Sequence, residues 1–170
     1  MAILNQPREF FRVLGEFART MPSLGFKMAD DSDKTSLGEI FETTANRFPD
    51  RVMLIFEDRQ WTYREFNHEV NQMARYLLVR GVKRGDTVAL VMDSRPEFLL
   101  CLFAIVKTGA AASLINSSLT GDPLVHCINS TNATLCIVGH ECAGAVAGVL
   151  DKISLEMGED YLWFPDGVED

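Results

Sequence analysis

The feature that most narrows what this chain can fold into is a repeated switch of hydrophobic pattern within residues 36–139. Val88-Ala89-Leu90-Val91-Met92 is an unbroken apolar run of strand length, and Asp93-Ser94-Arg95-Pro96-Glu97-Phe98 follows it with helix-start chemistry. An apolar stretch then ends at Lys107-Thr108-Gly109, after which Ala111-Ala112-Ser113-Leu114-Ile115-Asn116 again reads as a strand. Strand, helix and strand in that order form the crossover that joins parallel strands, because parallel neighbours cannot be linked by a tight hairpin. A strand covered on both faces reads as continuously apolar. The expected fold class is therefore α/β: a mostly parallel sheet with helices on both faces, preceded by an N-terminal helix and a short hairpin.

The flanking residues extend this pattern. Phe10, Phe11, Val13, Leu14, Phe17, Ala18 and Met21 recur at helical spacing, with Arg8, Glu9, Arg12, Glu16 and Arg19 between them. Residues 1–25 are read as an amphipathic helix. Docking on the domain is favoured over lying in a membrane interface, because glutamates share the polar face with the arginines. Residues 26–35 are polar and unpatterned, hence a linker, and residues 36–170 are a single α/β unit. Ser36-Leu37-Gly38-Glu39 has the spacing of a capping box. It predicts a helix to about Phe48 with Leu37, Ile40, Phe41, Thr44, Ala45 and Phe48 on its buried side. Val52-Met53-Leu54-Ile55-Phe56 and Gln60-Trp61-Thr62 read as a hairpin around Glu57-Asp58-Arg59. Thr62-Tyr63-Arg64-Glu65 is a second box, starting a helix with Phe66, Val70, Met73, Ala74, Leu77 and Leu78 inward and Gly81 as its left-handed stop.

At the centre, Ser94 is the expected helix cap, with Pro96 in the first turn and Glu97 three residues on. Residues 98–115 carry one charge, Lys107, yet the Lys107-Thr108-Gly109 stop leaves too few residues to cross a bilayer, so helix, turn and buried strand are expected. A helix from Gly121-Asp122-Pro123, a strand over residues 133–138, a helical pattern over residues 141–153 and a strand at Tyr161-Leu162-Trp163-Phe164 complete the order.

The formal charge of -8 argues against a nucleic-acid surface, which needs clustered Lys and Arg to displace counterions. Cys101, Cys127, Cys136 and Cys142 form no CxxC pair and read as packed, reduced thiols. His140-Glu141-Cys142 and His126-Cys127 lack a spaced partner motif, so no metal site is expected. The Asn-X-Ser/Thr matches at Asn116, Asn129 and Asn132 count only in a secreted chain, and the N-terminus lacks signal-peptide character. There is no GxxxxGK[ST] loop, no GxGxxG after a strand and no GxSxG elbow. Gly139-His140-Glu141-Cys142-Ala143-Gly144 does follow a strand and open a helix, where an anion could sit. Glu141 would repel one, and an ordinary bend with that glutamate complementing the helix dipole is the preferred reading. Neither Ser94 nor Ser113 has a recognisable base, and His68, His126 and His140 are not spaced as general bases. No catalytic residue is assigned.

Arg47-Phe48-Pro49-Asp50, Trp61-Thr62-Tyr63-Arg64-Glu65-Phe66, the run from Leu78 through Gly81-Val82-Lys83-Arg84-Gly85-Asp86-Thr87-Val88-Ala89-Leu90, and Ser94-Arg95-Pro96-Glu97-Phe98 leading to Lys107-Thr108-Gly109-Ala110 together resemble the N-terminal part of the adenylate-forming enzymes. That superfamily contains acyl-CoA synthetases, luciferases and peptide-synthetase adenylation domains. The stretch from Ala112-Ser113-Leu114-Ile115-Asn116 to Val125-His126-Cys127-Ile128 looks most like the fatty acid transport protein branch of long-chain and very-long-chain acyl-CoA synthetases. The resemblance covers 103 of the 170 residues. It implies that the parent protein uses ATP and Mg²⁺ to make an acyl-adenylate from a fatty acid, which coenzyme A then converts to the thioester. The phosphate loop, the metal-holding glutamate, the ribose-binding aspartate and the mobile C-terminal domain of that family have no counterpart here, so cofactor-binding positions stay unknown. The resemblance thus implies a partial N-terminal subdomain over residues 36–170, inactive alone, cytoplasmic or peripheral to a membrane, whose partners are the remaining subdomains, fatty acid, ATP and CoA. The alternatives are a stand-alone non-catalytic module and a ligase for a short-chain or aromatic acid.

Overall fold

A computed structural model describes residues 35–156 and 158–165; the helix expected over residues 1–25 and nearly all of the linker lie outside them. The first described helix, α1 (Leu37–Arg47), begins where the Ser36 hydroxyl accepts the Glu39 N–H at 3.1 Å, and ends at Phe48, whose N–H donates to the Thr44 carbonyl. Its buried residues are Gly38, Phe41 and Ala45, whereas Leu37 and Ile40 are exposed, which corrects the expected stripe. The reason is close backbone approach. A Cβ on Gly38 would stand 3.2 Å from the Lys107 backbone nitrogen, so α1 turns Gly38 rather than Leu37 or Ile40 toward the third helix, alongside Phe41, whose ring stacks on Phe103 at 4.3 Å.

Strands β1 (Val52–Phe56) and β2 (Arg59–Thr62) pair antiparallel with Phe56 opposite Arg59, so the turn is Glu57-Asp58 alone and Arg59 already belongs to the strand. Helix α2 (Tyr63–Val79) starts with a reciprocated capping box: the Thr62 hydroxyl accepts the Glu65 N–H and the Glu65 carboxylate accepts the Thr62 N–H at 2.8 Å. At its other end Gly81 takes φ 91°, the Val82 N–H reaches the Leu77 carbonyl and the Gly81 N–H reaches that of Leu78, while Val82 and Leu77 are both buried. This is a Schellman closure with its apolar contact.

The main sheet is built from β3 (Thr87–Val91), β4 (Ala111–Ile115), β5 (Leu135–Gly139) and β6 (Tyr161–Phe164), with α3 (Pro96–Lys107), α4 (Gly121–Ser130) and the short α5 (Ala143–Ala147) between them. All pairs are parallel in the order β4-β3-β5-β6, with Ala89 opposite Ser113 and Cys136, and Cys136 opposite Tyr161. The alternation of side chains along each strand divides the interior in two. Val88, Leu90, Leu135 and Ile137 face α2 and α3 with Phe66, Val70, Leu77 and Ile105, whereas Ala89, Val91, Cys136 and Val138 face α4 and α5 with Leu124, Ile128 and Val146. Helices therefore cover both faces, and the fold class is as expected.

Four local expectations are corrected. Leu78, expected on the inward side of α2, is exposed, since the buried stripe of that helix runs through Phe66, Val70, Ala74 and Leu77. β4 is not a buried strand: it is an edge, with Ala111 and Leu114 exposed. Ser94 does not cap α3; Arg95 holds the N-cap position without a side-chain bond, and Pro96 is the first helical residue. The helix expected over residues 141–153 is broken into a 3₁₀ turn at His140–Cys142, α5, and another 3₁₀ turn at Leu150–Lys152. Gly144 and Gly148 fall inside that span and weaken any continuous helix through it.

Candidate functional site

From β3 the chain passes over one face through α3 to β4, then over the other face through α4 to β5 on the far side of β3. The connection that leaves β3 through α3 and the one that leaves β5 through α5 lie on opposite faces and part at the carboxyl ends of these two neighbouring strands, the place where open parallel sheets leave a crevice for ligands. Asp93, Ser94 and Arg95 enter it from β3, and His140, Glu141 and Cys142 from β5.

Here the structure assembles what separated stretches of sequence could not. The Glu141 carboxylate folds back over Gly139, where a Cβ would collide with both of its oxygens. One oxygen accepts the Asp93 N–H at 2.7 Å, and the other lies 3.3 Å from the Arg95 guanidinium, whose Nε is 3.8 Å from Glu97. Glu141 therefore does not simply complement the dipole of its own turn, as expected; it ties the end of β5 to the loop leaving β3. Asp93, Glu141 and Cys142 bring their ligand-capable atoms within 4.8 Å of one another, leaving His140 outside the group. Burial pushes the Cys142 thiol up to about 11, the Glu141 and Asp93 charges add to that, and Arg95 opposes it. A phosphate entering the crevice would have to displace Glu141 and would meet a second carboxylate on Asp93. These residues do not fit a nucleotide phosphate.

A second recess, about 190 Å³ in volume, opens between the hairpin, α2, the start of α3 and the end of β6. Trp61, Phe66, Leu100 and Phe164 make its apolar walls, with Arg59, Glu69 and Glu97 as its charges. The Arg59 guanidinium lies 4.5 Å over the Trp61 ring, so that aromatic face is already taken.

The residues weighed as chemistry carriers are scattered. His68 on α2 shares a 3.0 Å hydrogen bond with Gln72, His126 is exposed on α4 across the sheet, and His140 is exposed on its turn. Ser94 is exposed and Ser113 half-buried on β4. All four cysteines are free; burial pushes Cys101 and Cys136 each up to about 12, so both stay protonated near neutral pH. What sequence reading missed is the Asp93–Arg95–Glu141 cluster. Its only signal was a glutamate just after a strand, with its partners nearly fifty residues earlier.

Comparison with known proteins gives these elements a family. Residues 41–162 match the family model described as AMP-binding enzyme. The medium/long-chain-fatty-acid–CoA ligase FadD6 of Mycobacterium tuberculosis is 37% identical over 120 residues, covering 71% of this chain and 20% of that protein. Long-chain fatty acid transport protein 6 of Mus musculus is 32% identical over 114 residues, covering 66% of this chain and 18% of that protein. Among solved structures, the anthranilate CoA ligase AuaEII in complex with anthranoyl-AMP superposes with a TM-score of 0.70 at 25% identity, covering 76% of this chain and 25% of that one. The chain spans about a fifth of the length of the curated relatives named here. With a parallel four-stranded sheet sandwiched by helices and a family match over most of its length, this chain belongs to the AMP-binding, adenylate-forming enzymes.

Proposed function

We propose that the chain is the N-terminal scaffold of a long-chain or very-long-chain fatty acid:CoA ligase, which forms an acyl-adenylate from ATP and then the CoA thioester. The observation that carries this reading is the alignment of residues 41–162 with the family, joined to relatives printed as fatty-acid–CoA ligase and long-chain fatty acid transport protein. In this reading the residues described here do not contact the nucleotide. The switch-point crevice is filled by Glu141 and lined by Asp93, so ATP, Mg²⁺ and CoA are gripped by residues beyond those given in this sequence. What this segment contributes is a rigid sheet, closed on both faces, against which the remaining subdomains are positioned.

The test is AMP release by the product of the whole reading frame, supplied separately with palmitate, acetate and 4-coumarate. Turnover greatest with palmitate supports the long-chain reading. Equal or faster turnover of acetate or 4-coumarate overturns it, and a frame that stops at Asp170 replaces it with a stand-alone module.

A further inference from the structure

The end of α2 and the loop into β3 carry a feature that the ligase reading does not use. Residues 75–84 hold four cations, Arg75, Arg80, Lys83 and Arg84, and no acid, in a chain whose formal charge is -8. Three apolar side chains stand in the same stretch: Tyr76 is 41% exposed, Leu78 52% and Val79 85%, the last being the most exposed large apolar side chain among the described residues. Two nearby carboxylates, those of Asp86 and Asp160, are engaged with backbone N–H groups. Asp86 accepts the Lys83 N–H at 3.0 Å, Asp160 accepts the Glu156 N–H at 2.8 Å, and Glu159 offers its carbonyl to Arg80. The Arg80 guanidinium also lies 3.4 Å from the Tyr76 hydroxyl, which keeps that ring at the edge of the patch.

We propose that this surface docks onto an anionic lipid bilayer, with Leu78 and Val79 entering the acyl boundary, the Tyr76 ring at headgroup level and the four cations on lipid phosphates. An exposed aliphatic pair beside cations suits an interface that is apolar on one side and anionic on the other. A nucleic acid would gain nothing from Leu78 and Val79, and the acidic remainder of the chain would repel it. The same repulsion orients the protein on an anionic membrane, since this is the face that can approach it. The patch lies at the amino end of β3, and the crevice with Glu141 lies at the carboxyl ends, so docking leaves the crevice free. The inference is independent of which acid the parent enzyme uses.

The experiment is co-sedimentation of the 170-residue chain with vesicles of phosphatidylcholine alone or with about one-third phosphatidylglycerol. The wild type partitions several-fold more onto the anionic vesicles, and added salt reverses this. The double variant Val79→Asp, Lys83→Glu, confined to exposed positions and checked for an unchanged circular dichroism spectrum, loses that preference. The control Arg47→Glu, a charge reversal on α1, retains it. Absence of the preference in the wild type, its persistence in the double variant, or its equal loss in the control overturns the proposal.

Discussion

Lys107 is the residue on which three helices meet. Its ammonium, on a side chain only 10% exposed, donates to Glu42 on α1 and to Asn67 and Asn71 on α2 at 2.6 and 2.8 Å, and lies 5.3 Å from the centre of the Phe41 ring. Sequence reading saw Lys107 only as the cation near a helix stop, because its partners lie some 36 to 65 residues away along the chain. Removing it leaves two amide oxygens without their donor, while the 43% exposed Glu42 side chain can rehydrate. Lys107→Met should therefore cost about 1–3 kcal/mol in urea unfolding, less than a fully buried pair would. The Lys107 hydrogen bond, and less strongly its charge, hold the Glu42 carboxyl below its ordinary 4.5 against the opposing effect of burial. A carboxyl with a lowered folded pKa stabilises above 4.5 and loses that contribution as the pH falls through the folded value. The wild type should thus lose its advantage over Lys107→Met on acidification, and a constant gap between the two at every pH would refute the pairing. The cysteines give a second residue-scale test. Alkylation of native protein followed by mass spectrometry should mark half-buried Cys127 first and reach Cys101, Cys136 and Cys142 only on unfolding; early labelling of Cys142 would contradict its packing.

Among the elements, the helix starts separate what adjacent residues settle from what distant ones settle. At Thr62 both halves of the capping box lie within four residues, and both bonds form. At Ser94 the same kind of spacing fails, because Arg95 precedes a proline and is held extended at φ -141° and ψ 170°, so the helix opens one residue later, on Pro96. Thr62→Ala should lower stability by about 1 kcal/mol and Ser94→Ala by a few tenths at most, read from paired urea midpoints. An equal loss at both positions would restore Ser94 as a cap. The apolar run at β4 shows the same limit: its composition matches an interior strand, yet only pairing order shows that it is an edge with Leu114 in solvent. On α1 the stripe was legible in period but not in phase, since Gly38 faces in only because the α3 backbone is there to meet it.

For the whole molecule, the order of strands and helices from β3 to β6 was legible because each crossover leaves its start and stop residues in sequence. The spatial order β4-β3-β5-β6 was not, since it depends on which face each helix chooses. That order creates the crevice, in which Glu141 and Asp93 occupy the position at which a parallel sheet would otherwise offer backbone N–H groups to a phosphate. The central claim is that these residues form a scaffold without a nucleotide grip of their own. Isothermal titration of the 170-residue chain with ATP, with and without Mg²⁺, tests it most directly. No saturable heat is expected from a scaffold of this kind, and a saturable isotherm with micromolar affinity would contradict that role.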